Sequence, residues 1–176
     1  MSSTPEWLPA IIEFTGDWEV FIKKIYDVFK KDFKDSRPSL DSVPVLFNKW
    51  IDPNDKYGYE EGFWHITSKD EWDFDPRTKK KIKKRVPDLH RAKRVPWCRP
   101  VIENNSDSAI LFWDYLEGNG RTNTYIWLKE HDYLVILEKR TMPRGVFYFI
   151  VSAFYIQYEG KRLDLTDKYN RRIGLK

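Results

Sequence analysis

The stretch from Val146 to Tyr158 is an almost unbroken run of aromatic and β-branched residues with no charge in it. Such a run is too short for a membrane helix and lacks a helical period, so it predicts a buried central strand. A central strand needs partners on both sides, and the chain supplies them just upstream. Ala109–Leu116 reads as a strand closed by Glu117-Gly118-Asn119-Gly120. Thr124–Leu128 and Leu134–Lys139 read as a hairpin around Glu130-His131-Asp132, and Met142-Pro143-Arg144-Gly145 makes the next turn. The C-terminal half is therefore expected to be a four- to five-stranded antiparallel meander.

The N-terminal part carries one clear helical signal. Trp18, Phe21, Ile22, Ile25, Phe29 and Phe33 recur at three- and four-residue spacing within 17–34, with Asp17 as N-cap. Residues 39–61 are ambiguous because Pro44 and Pro53 interrupt them. Gly62–Thr67 alternates like a strand, which would project His65 and Thr67 from one face. Ser68-Lys69-Asp70-Glu71 has capping-box spacing for a short helix. From Arg77 to Arg85 only Ile82 is apolar, so an exposed arm or loop is expected. Pro87 suits the start of a short helix over Asp88–Arg94 that Pro96 ends, and Leu163–Lys176 reads as a terminal helix or a loose basic end. Together these predict a single α+β domain over 1–176, its helices on one side of the sheet.

Hydrophobic residues at 41% and aromatics at 16% suit a folded core and exclude a disordered chain. No apolar run reaches the roughly 18 residues a membrane span requires. Met1-Ser2-Ser3-Thr4-Pro5-Glu6 lacks the basic and apolar regions of a signal peptide, and Cys98 is the single cysteine, so a cytoplasmic protein without disulfides is expected. His65, His90 and His131 stand apart, without metal-ligand spacing, and no glycine-rich phosphate loop or GxSxG occurs. No metal, no cofactor and no membrane partner is expected.

The net charge is only +4, but its distribution is uneven. Between Arg77 and Arg99 eleven Lys or Arg face one acid, Asp88, a local +10, which leaves −6 for the rest of the chain. A basic island in an otherwise acidic protein points to a polyanion such as RNA, although charge runs also occur as plain solvated loops. His65 lies just upstream, and its side chain can exchange a proton near neutrality. Ser152 interrupts the central strand with a hydroxyl that must find a partner or a cleft. Tyr155, three residues on, falls on the opposite face unless a bulge follows Ser152.

Gly62-Phe63-Trp64-His65-Ile66-Thr67, Arg91-Ala92-Lys93-Arg94-Val95-Pro96-Trp97 and Phe149-Ile150-Val151-Ser152-Ala153-Phe154-Tyr155 together resemble the barnase–EndoU–colicin D–RelE-like nucleases, above all their phage-associated branch. The resemblance covers about residues 60–158. It implies helices on a four-stranded antiparallel sheet and metal-independent RNA cleavage, in a toxin or phage effector neutralised by an antitoxin or immunity protein. The barnase pattern of a glutamate base followed by a late histidine is not evident here. In the implied chemistry His65 is the acid or base, Arg91, Arg94 or Arg99 clamps the phosphate, and Ser152, Thr67 or Tyr155 orients it. Trp97 stacks on a base or packs in the core. Lys79, Lys80, Lys81, Lys83, Lys84, Arg85 and Lys93 would hold the backbone without regard to sequence. Two alternatives compete: a nucleic-acid-binding module without chemistry, and an ADP-ribosyltransferase using His65-Ile66-Thr67 with Glu159 on a late strand.

Overall fold

The computed structural model describes residues 4–174, so Met1–Ser3 and the last two residues of the predicted tail lie outside the described residues. Helix α1 (Trp18–Phe29) starts where the Asp17 carboxylate accepts from the Val20 amide at 3.1 Å, and it buries Phe21, Ile22, Ile25 and Phe29. It continues into a π-helical turn, Lys30–Lys34, closed by the Asp35 amide on the Lys30 carbonyl. The ambiguous stretch that follows contains β1 (Ser39–Leu40) and β2 (Val43–Leu46), joined by Asp41-Ser42, both at positive φ. Two such residues make the hairpin turn whose twist matches the flanking strands.

Gly62–Thr67 is not a strand. It belongs to helix α2 (Glu61–Thr67), in which every residue except His65 is buried. A short helix enclosed on nearly all sides has no polar face, so its sequence carries no helical period, and chance alternation mimics a strand. Gly62 is needed where α2 crosses the chain, since a Cβ there would meet the Phe47 side chain at 2.8 and 2.9 Å and the Asn48 carbonyl at 3.1 Å.

The predicted capping box and basic arm together form one antiparallel hairpin, β3 (Ser68–Asp75) and β4 (Lys80–Pro87), separate from the main sheet. Asp88 then caps α3 (Leu89–Ala92) by accepting from the Arg91 amide at 3.1 Å. Pro96 does not end this region. It sits in the first turn of a second helix, α4 (Val95–Glu103), where a missing N–H costs nothing.

The C-terminal meander is as expected: β5 (Ile110–Leu116), β6 (Thr122–Leu128), β7 (Tyr133–Met142) and β8 (Gly145–Tyr155), all antiparallel neighbours. The main sheet is larger and mixed, with six strands in the order β1-β2-β8-β7-β6-β5, because β2 adds to β8 in parallel. Its inner face packs Ile126, Val135, Leu137 and Ile150 against α1, α2 and α4. The helices are not confined to that side. Helix α5 (Glu159–Asn170) covers the outer face, where Leu165 joins Trp113, Tyr125, Trp127 and Leu134. The fold class, α+β, stands. Among the described residues no helix is long and apolar enough to cross a membrane.

Candidate nucleic-acid interface

Eight residue pairs, from Ser68↔Pro87 to Asp75↔Lys80, hold the β3–β4 hairpin in register. The turn is fixed by Asp75, whose carboxylate accepts from the Arg77 amide at 2.9 Å and the Thr78 hydroxyl at 3.0 Å, while Lys79 takes a positive φ. Opposed residues in an antiparallel pair share a face, and successive residues alternate. One face therefore carries Asp70, Trp72 and Phe74 beside Arg85, Lys83 and Lys81. The other carries Lys69, Glu71, Asp73 and Asp75 beside Val86, Lys84, Ile82 and Lys80. Trp72 is 72% exposed and Phe74 57%, so neither ring is used for packing. Their face has three cations against Asp70, whose carboxyl is held below its usual range by the Lys83 ammonium 2.6 Å away.

Where the hairpin joins the body, α2 presents Glu61 and His65 one turn apart. Glu61 Oε1 meets Arg85 Nη1 at 2.7 Å, and Glu61 Oε2 lies 3.4 Å from His65 Nε2. The hydrogen bond that Arg85 donates to Glu61 raises the guanidinium pKa. Burial lowers the His65 pKa from its usual value, and the Glu61 carboxylate opposes that only in part. His65 Nδ1 is buried without a hydrogen-bond partner. A cleft of about 310 Å³ opens beside this cluster, bounded by Glu61, Arg85, Trp64 and Asp52. A carboxylate, an imidazole and a guanidinium thus meet at one point, the set needed to take a proton, give a proton and neutralise a phosphoryl oxygen.

The predicted convergence of His65 with the arginines and Ser152 is not what the fold builds. The charged neighbours of His65 are Glu61, Asp70, Lys83 and Arg85, not Arg91, Arg94 or Arg99. Arg91 donates to the Ser68 carbonyl at 2.9 Å and lies over the Phe154 ring, while Arg94 stacks 4.0 Å over Tyr155. Arg99 points elsewhere, bonded to the Asp32 carbonyl, Ser36 and Glu103. Ser152 pairs opposite Ile136 and Tyr155 opposite Tyr133, so the two face opposite sides of the sheet. The bulge that could have united them lies before Ser152, where the register shift leaves Val151 unpaired.

Thr67 is buried and donates to the Phe63 carbonyl, so it cannot orient a substrate. Trp97 is 8% exposed with its indole N–H on the Pro9 carbonyl, a core residue. Lys93 is paired with Glu13 at 2.6 Å. Glu159 opens α5 instead of ending a strand, and it pairs with Arg162, which removes the ADP-ribosyltransferase arrangement. Lys79, Lys80, Lys83, Lys84 and Arg85 all lie on the hairpin as expected of the basic arm. Sequence reasoning missed Glu61, Trp72 and Phe74. The signals were the four-residue Glu61–His65 spacing and the alternation of Trp72 and Phe74 with acids.

Among the described residues no group of three His, Cys, Asp or Glu could hold a metal ion. Compared with known protein families, curated proteins and solved structures, the chain matches none of them.

Proposed function

We propose that this chain binds single-stranded nucleic acid along the aromatic face of the β3–β4 hairpin. What carries the reading is the side-by-side placement of exposed Trp72 and Phe74 with Lys81, Lys83 and Arg85. Stacked bases need flat apolar rings open to solvent, and the phosphates between them need cations at the same spacing. Rungs two residues apart on a strand lie about 6.8 Å from one another, a separation a single strand can follow base by base. Titrating the protein with a short oligoribonucleotide should quench tryptophan fluorescence, and Trp72→Ala with Phe74→Ala should abolish most of the binding. Binding undiminished in that double variant would remove the proposal.

A second reading, metal-independent cleavage of bound RNA, is favoured by the Glu61–His65–Arg85 cluster at the hairpin root. Glu61 would take the proton from a 2′-hydroxyl, whose oxygen forms a bond to phosphorus as the bond from phosphorus to the 5′-oxygen breaks. Protonated His65 would give its proton to that leaving oxygen, and the product is a 2′,3′-cyclic phosphate. Arg85 would balance the charge on the phosphoryl oxygens. This chemistry is that implied by the nuclease resemblance, with Glu61 rather than Ser152 or Arg91 beside His65. RNA cleavage in excess EDTA that disappears in Glu61→Gln with binding retained is the expected result, whereas an inert wild-type protein would leave binding alone.

A further inference from the structure

A second cleft lies on the other side of the hairpin root, where β8 ends and α5 begins. Its volume is about 200 Å³, and Lys69, Arg91, Lys161, Asp88, Tyr155 and Tyr158 are among its walls. Lys69 belongs to the hairpin face opposite Trp72, so this cleft is separate from the surface described above. Three cations and one carboxylate line it, and two of the cations hold exposed pairs outside it, Lys69 with Glu71 at 2.9 Å and Lys161 with Asp164 at 2.8 Å, which an entering anion can displace. Arg91 is the least neutralised of the three, since Asp88 lies 3.8 Å from its Nε and also caps α3. The Arg91 side chain is only 22% exposed, and burial depresses its pKa, so its charge sits where water solvates it badly. Arg94 lies behind the wall on the Tyr155 ring, with Nε buried and unpartnered and no carboxylate within ion-pair distance among the described residues. Tyr158, on the rim, is 74% exposed.

A half-buried guanidinium with only a distant counter-charge is stabilised when an anion of two charges enters beside it. An open ring on the rim suits an aromatic group attached to that anion. We infer that this cleft binds a nucleoside monophosphate, with Arg91, Lys69 and Lys161 on the phosphate and Tyr158 under the base. The site does not depend on the hairpin reading, because it uses neither Trp72 nor Phe74.

Calorimetric titration of the full chain with AMP, adenosine and inorganic phosphate tests it. AMP should bind more tightly than either of its parts. Arg91→Gln and the surface variant Lys161→Gln should each weaken AMP roughly ten- to a hundredfold, as expected for loss of a charge-assisted hydrogen bond. Trp72→Ala should leave AMP binding unchanged. An oligonucleotide with a terminal phosphate that displaces AMP, when its hydroxyl-ended counterpart does not, would identify the ligand as a strand end instead of a free nucleotide. No binding of AMP, equal binding of AMP and adenosine, or binding that survives Lys161→Gln in a folded protein would overturn the assignment.

Discussion

Glu61 and Arg85 meet at 2.7 Å at the point where the hairpin leaves the body of the protein. The pair ties β4 to α2, and the same carboxylate reaches His65 on its other oxygen. It therefore anchors the hairpin and, in the proposed cleavage, would also take the proton, and the two roles can be separated by substitution. Glu61→Gln keeps a hydrogen-bond acceptor for Arg85 but loses the charge. The hairpin should stay folded, with stability lowered by about 1–2 kcal/mol in a denaturant titration. Any cleavage of RNA should fall by roughly a hundredfold or more.

Trp72→Ala and Phe74→Ala should each weaken a single-stranded oligonucleotide by about 1–3 kcal/mol, and the melting temperature should not move because both rings are exposed. Isothermal titration and thermal denaturation of the same samples read the two effects separately.

The cations beside those rings act differently from the rings. Replacing Lys81 and Lys83 with Gln should reduce the slope of log affinity against log salt by about 0.7 per lysine. A slope that stays at its wild-type value would show that the phosphates run along some other surface.

Burial lowers the His65 pKa in the folded chain, so between that value and the unfolded value near 6.5 the unfolded state binds more protons. Stability from this group is present above the unfolded pKa and is lost as pH falls through the folded one. His65→Gln, which cannot be protonated there, should therefore show a shallower loss of stability between pH 7 and pH 5. Chemical denaturation across that range measures it.

At Gly62 an added methyl would strike Phe47 and the Asn48 carbonyl. Gly62→Ala should cost about 1–3 kcal/mol of stability, the range for overpacking a filled core.

The C-terminal half could be read from sequence because its strands alternate between a buried and a less buried face, and its turns carry Gly, Asn and Pro. Helix α1 was readable for the same reason, having one apolar stripe on an otherwise polar surface. The strongest misreading fell on α2, whose burial on nearly all sides erased the period that would have identified it. The hairpin was misread for the opposite reason. With almost no burial, β4 lacks the apolar alternation by which a strand is recognised and β3 shows it only at Trp72 and Phe74, so Ser68–Glu71 looked like a cap and Arg77–Arg85 like an exposed arm or loop. The basic island was correctly taken as exposed, but its partner rings Trp72 and Phe74 lie on the neighbouring strand. The association of Glu61, His65 and Arg85 needed both α2 as a helix and β4 as a strand, so it could not be seen while either was misassigned. The β1–β2 pair escaped because Pro44 lies within β2, whose pairing with β8 uses Val45 and Leu46 and leaves Pro44 opposite Ser39 of the two-residue β1.

The parallel pairing of β2 with β8 joins Val45 to Tyr148 and Leu46 to Phe149. A nascent polypeptide emerging from the ribosome cannot make this junction until synthesis has passed Phe149. Until then β2 has only the two-residue β1 to pair with, and chaperone capture of stalled intermediates should be concentrated on chains ending before residue 148.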